Sequence, residues 1–109
     1  PMDAQIRKGL LEFCVLAALR QGDSYGYQLL KDIPEYIAMT ESTLYPILRR
    51  LETGDRVSSY TREHNGRLRK YFRITKQGLD YLDSFLEERE ELDRLLDYIC
   101  QKSEETGRE

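Results

Sequence analysis

Tryptophan is absent from the chain, histidine occurs once, and cysteine only twice. A lone histidine, His64, cannot supply the imidazole clusters on which many metal centres depend. No GxSxG sequence, phosphate-binding glycine loop or carboxylate pair in an apolar setting takes its place. The chain therefore reads as a protein that is not an enzyme and carries no metal or cofactor. Cys14 and Cys100 are distant in sequence and belong to no CxxC or Cys/His pattern, so they read as free thiols in a reducing compartment. There is no apolar run long enough to cross a bilayer and no signal sequence with a basic start and an apolar centre. The expected location is the cytoplasm, with no membrane partner.

What the chain does have is charge. Charged residues make up 34% and hydrophobic ones 39% of 109 residues, which fits one small, solvated domain with little core to spare. Pairing with a second copy is the natural way to bury more apolar surface. The net charge is -3, yet nine Lys or Arg against four Asp or Glu leave +5 between Thr40 and Lys76. A positive field on an otherwise negative chain points to a polyanion, most simply DNA phosphate.

Asp3 to Gln21 is expected to be helical, with apolar residues spread around more than one face, so that part of this helix should meet a partner chain. Gly22 and Asp23 end it. Ser24 is placed to cap a second helix that Pro34 stops through its effect on Ile33. A third helix begins at Thr40 or Ser42, and Pro46, if it sits in the first turn, favours Ser42. It runs to about Thr53 with Gly54 as a left-handed stop. Leu44, Ile47, Leu48 and Leu51 should face inward, leaving Glu41, Tyr45, Arg49 and Glu52 outside and Arg50 on a flank.

A hairpin follows. Arg67, Arg69, Tyr71 and Arg73 alternate with Leu68, Lys70, Phe72 and Ile74, and the three apolar members of the second set are expected to anchor it to the core. Val57 to Arg62 supplies the opposing strand. His64, Asn65 and Gly66 make the connection, with His64 solvated in the turn.

Thr75 caps one long last helix reaching to about Lys102, and the tail from 103 to 109 is expected to be disordered. Leu82, Phe85, Leu92, Leu96 and Ile99 form a seam interrupted at Arg89. That seam outruns any core three short helices and a hairpin can offer, which predicts a two-fold dimer built on Phe13, Leu82, Phe85, Leu92, Leu96 and Ile99.

The order of elements is mainly α with a small β-hairpin. It predicts a winged helix-turn-helix domain over residues 1–74, and a C-terminal dimerisation helix with a short tail over 75–109. GDSYGYQLLKDI, TESTLYPILRRLETGDRVSSY and GRLRKYFRITKQG closely resemble the short form of the PadR family of transcriptional regulators, from about Leu10 to Leu82. Ser42 stands where that family often has glycine, and Phe72 where it often has tyrosine. The resemblance implies a homodimeric repressor, released by a small-molecule effector, whose recognition helices enter successive major grooves of a palindromic double-stranded operator while the wings touch the flanking minor groove or backbone. It implies DNA contacts by Tyr25, Ser42, Thr43, Tyr45 and Arg49 from the helix-turn-helix, and by Arg67, Arg69, Lys70 and Tyr71 from the wing.

PadR-like dimers can also hold an effector between the first and last helices of the two chains. The positions implied here are Leu11, Glu12, Val15, Arg89, Leu92 and Asp93. Arg89, where multidrug-binding relatives carry an aromatic residue, favours a polar or anionic ligand. The competing readings are plainer. Arg49 or Arg50 can pair with Glu52 or another surface carboxylate, Tyr45 and Tyr71 can serve as core packing, and a winged helix can act as a protein-interaction module that binds no DNA.

Overall fold

A computed structural model of the chain describes residues 2–106. The first helix, α1 (Ala4–Arg20), starts where the Asp3 carboxylate accepts from the backbone N–H groups of Gln5 at 3.0 Å and Ile6 at 3.3 Å. Its own chain covers it on two sides. Leu11, Val15, Leu16 and Leu19 are buried in the central core, and Phe13 stacks on Phe85 and Tyr81 with ring centroids 4.1 and 4.9 Å apart.

Ser24 does not cap a helix. Ser24–Tyr25 is a two-residue strand, β1, and the helix α2 (Gly26–Asp32) follows it directly. Ile33, ahead of Pro34, is extended at φ -71° and ψ 127°, as the proline ring requires. A single 3-10 turn at Glu35–Ile37 leads to α3 (Glu41–Thr53).

The N-cap of α3 is Thr40, not Ser42, so Pro46 lies in its second turn and leaves the Ser42 carbonyl without its usual intrahelical partner. Leu44, Ile47, Leu48 and Leu51 are each at most 2% exposed. The stop at its C-terminus is Asp55 with φ 59°, while Gly54 has φ -86°; Arg56 N–H then reaches back to the Leu51 carbonyl at 2.8 Å.

The wing comprises β2 (Val57–His64) and β3 (Arg67–Ile74), antiparallel from Val57 opposite Ile74 to His64 opposite Arg67. His64 therefore ends a strand and is not in the turn. Asn65 and Gly66 alone make the turn, both with positive φ (51° and 79°), which matches the twist of the strands. Ser24 and Tyr25 pair with Phe72 and Tyr71, so the sheet order is β1-β3-β2. Phe72 faces the core, but Leu68 is 76% exposed because the hairpin tip extends beyond the helices that could cover it.

Thr75 caps α4 (Lys76–Glu87), its hydroxyl accepting from Gly78 N–H at 3.0 Å. Gly78 is required there, since a Cβ would overlap the Arg56 carbonyl oxygen. The expected single long helix is broken. Glu88, at φ -87° and ψ 0°, separates α4 from α5 (Arg89–Thr106). Glu87, Glu88, Glu90 and Glu91 repel one another at three- and four-residue spacings, and Glu87 and Glu88 meet the negative end of α4, so the run opposes a continuous helix.

Residues 103–106, expected to be disordered, are helical, and the rest of that tail lies outside the described residues. Every residue from Leu86 to Glu104 is exposed. The radius of gyration is 17.2 Å, against about 13 Å for a compact domain of this length, because α5 projects from the body.

Candidate nucleic-acid interface

The basic hairpin and the outer side of α3 converge. Between them lies a cleft of about 280 Å³ lined by Tyr25, Gly26, Tyr27, Tyr45, Leu48, Arg49, Glu52, Arg69, Lys70 and Phe72. Tyr45 is 41% exposed and lies with its hydroxyl end over Gly26. Arg49 is exposed and has no carboxylate partner among the described residues. Arg50 does pair with a carboxylate, that of Glu12 and not Glu52, its Nε lying 3.2 Å from Glu12 Oε2. At the start of α3 the Thr40 hydroxyl is 3.1 Å from the hydroxyls of both Ser42 and Thr43, a small cluster able to donate to an acceptor outside.

Alternation along β3 and the register with β2 and β1 put a set of rings and guanidinium groups on the outer face of the sheet. Tyr71 lies between Tyr60, stacked at 5.6 Å, and Tyr25, edge-on at 5.2 Å; His64 is 5.6 Å from Tyr25. Arg69 lies 4.5 Å above Tyr25, Arg62 5.4 Å above Tyr71 and Arg73 5.3 Å above Tyr60. Such contacts hold cationic groups in place without neutralising them. Tyr71 itself is only 7% exposed, so it acts mainly as the platform beneath Arg62, the packing role its sequence position also allowed. Arg67 stands exposed at the tip.

Two carboxylates organise this surface. Asp23 accepts from the Tyr60 hydroxyl at 2.7 Å and from Arg73 at 3.0–3.1 Å. The Tyr60 bond, with Arg73 second in support, holds its carboxyl below the ordinary value, and the same bond pushes the Tyr60 phenol up. Glu52 accepts from the Ser59 hydroxyl and pairs with Lys70 at 3.5 Å; the Ser59 bond first, then Lys70, lowers its carboxyl. Neither role is visible in sequence. The pairing of β3 with both β1 and β2, and the reach of α3 to β2, bring these groups together.

The remaining candidates are scattered. Leu11 and Val15 are core residues at 5% and 0% exposure, Glu12 is paired with Arg50, and Arg89, Leu92 and Asp93 lie on exposed α5, with Arg89 3.8 Å from Asp93. Among the described residues these six are divided between the core, the α1–α3 contact and exposed α5. Of the interface candidates, Leu82 is buried at 3% and Phe13 and Phe85 stack on each other, whereas Leu92, Leu96 and Ile99 are 39%, 49% and 57% exposed.

A three-helix body with a basic wing is shared by many regulators, and the comparison that decides among them is with the PadR-like transcriptional regulators, whose family profile matches residues 15–84. This chain belongs to that family. A PadR family regulator from Eggerthella lenta is 32% identical, with 88% of this chain and 86% of that chain covered and a TM-score of 0.77. A Streptococcus transcriptional regulator is 31% identical, with 89% and 98% covered and a TM-score of 0.79. An uncharacterised protein of Lysinibacillus sphaericus is 29% identical over 90% of this chain and 94% of its own. The PadR-like protein is thus a DNA-binding transcriptional regulator with a winged helix fold. Among its described residues, no helix is long and apolar enough to cross a membrane.

Proposed function

We propose that this PadR-like protein is a homodimeric repressor of a palindromic operator, with α3 reading the major groove and the β2–β3 wing gripping the adjoining minor groove or backbone. The observation that carries this reading is the cleft shared by α3 and the wing, lined by Arg49, Arg69, Lys70, Tyr25 and Tyr45. One phosphate ridge separates neighbouring major and minor grooves. A cleft bringing cations and hydroxyls from both elements to one place suits that ridge, while Arg49, Tyr45 and Ser42 reach on toward base edges.

Dimerisation is supported by the apolar residues Leu92, Leu95, Leu96 and Ile99, all exposed on a helix that projects from its own body. The effector site belongs between the chains, where α5 of one protomer approaches α1 of its partner. Arg89 and Asp93 on α5, with Glu12 on α1, favour a polar or anionic ligand there. Val15 is fully buried in its own chain, and Leu11 nearly so.

Sequencing DNA selected from a random pool by the purified protein gives the operator, and fluorescence anisotropy against salt then tests the mode of binding. The expected result is a palindrome bound with a slope of about -0.9 in log K per phosphate contact, and reduced expression of a reporter placed behind it. A winged helix that bound only protein would show no salt-dependent DNA affinity, and that outcome would overturn the reading.

A further inference from the structure

We propose that Glu52 is a built-in restraint on DNA affinity: a carboxylate held inside the cleft between α3 and the wing, where it opposes a backbone phosphate and occupies Lys70. The inference rests on the reading of that cleft as the seat of a phosphate ridge.

Three cations line the cleft, Arg49, Arg69 and Lys70, and Glu52 is the one carboxylate among its lining residues. Arg49 and Arg69 have no carboxylate partner among the described residues, and the buried Arg69 Nε makes no hydrogen bond. Lys70 alone is countered, by Glu52 at 3.5 Å. The carboxylate is not loosely placed. Its second oxygen accepts from Ser59 on β2, so one residue at the end of α3 is tied to both strands of the wing.

Its Ser59 bond and its lysine both favour the ionised form, so the negative charge persists at neutral pH. A phosphate entering this cleft therefore meets a fixed negative charge and a lysine that must leave its partner. Both effects weaken backbone contacts equally for every DNA sequence, because phosphates carry no sequence information. A regulator that must leave its operator on a signal gains from a weaker uniform grip.

Glu52→Gln removes the charge while keeping an oxygen for the Ser59 hydroxyl. The expected result is tighter binding to operator and scrambled DNA alike, with their ratio unchanged and the salt slope steeper by about one phosphate contact. That corresponds to a gain growing about eightfold for each tenfold dilution of salt. In a Lys70→Met background the same substitution should leave the slope unchanged, since no lysine is released. Weaker binding to both DNAs in Glu52→Gln, with an unchanged Tm, would overturn the proposal and make Glu52 a positioning residue for the wing. Loss confined to the operator would also overturn it, by making Glu52 a base reader. Arg67→Ala serves as the control outside the cleft. If it too leaves affinity and slope untouched, the wing does not bind DNA and the inference fails with that reading; if Arg67→Ala weakens binding and Glu52→Gln changes nothing, the inference alone fails.

Discussion

The hydroxyl end of Tyr45 occupies the space where any residue other than glycine would put its Cβ at position 26. The side chain that α3 presents to the cleft is thus seated on the first residue of α2, and this seat is part of the contact between the two helices of the helix-turn-helix. The overlap falls on the far end of a ring that can swing aside. Gly26→Ala should therefore cost little stability, since alanine also favours the helix by up to about 1 kcal/mol. It should displace Tyr45 and lower operator affinity about tenfold, or ~1.4 kcal/mol. Calorimetry and anisotropy on the same sample check this; a collapse in Tm would show that the ring is clamped in place.

Reading can be separated from holding. Arg49 is unpaired and exposed on α3, where one good base contact discriminates by about 1–3 kcal/mol. Arg49→Ala should reduce the ratio of operator to scrambled affinity at one fixed salt concentration, while Arg67→Ala should leave that ratio alone and flatten the salt dependence. A ratio that survives Arg49→Ala, Tyr45→Phe and Ser42→Ala alike would move specificity to DNA shape or to another surface.

The dimer prediction narrows to the residues left open. Leu92, Leu96 and Ile99 contribute nothing to the core of their own chain, and burying a leucine contributes roughly 1.5–3 kcal/mol. Leu92→Glu with Leu96→Glu should give a monomer by sedimentation velocity at micromolar concentration. The unmodified protein sedimenting as a well-folded monomer would rule out the dimer altogether.

Acid should loosen the wing. Asp23 and Glu52 have folded values below their ordinary 3.8 and 4.5. A depressed carboxyl stabilises the fold above its ordinary value, and that contribution is lost as the pH falls through the depressed one. The Tm of the unmodified protein should therefore drop from about pH 4.5 downward, and Asp23→Asn should give a flatter curve there. Both carboxylates are about a third exposed, so solvent screening keeps the effect modest. Identical curves for the two proteins would remove Asp23 from the account.

The hairpin was legible because its signals are local: strict alternation along eight residues and an Asn-Gly turn. Helix α3 was legible from four leucine and isoleucine positions, though its start was misjudged, since Pro46 is accommodated one turn deeper than its chemistry favours. Strand β1 was hidden because two residues carry no period and their partners, Tyr71 and Phe72, lie more than forty positions away. The Asp23–Tyr60–Arg73 cluster depends on that same pairing. The break at Glu88 has no glycine or proline to announce it, only like charges, and Leu82, which continues the α5 seam in sequence, belongs to the core of its own chain.

Glu88 makes the projecting helix a lever. The 18 residues of α5 extend about 27 Å at 1.5 Å per residue. A turn of about 10° at a joint of one residue would carry the far end through roughly 5 Å. In the proposed dimer, two such arms would set the separation of the two α3 helices, and half-sites on DNA repeat at about 34 Å. In the proposed effector site, a ligand beside Arg89 would need only to open that angle slightly to put the two readers out of step with the double helix, leaving each reading surface intact.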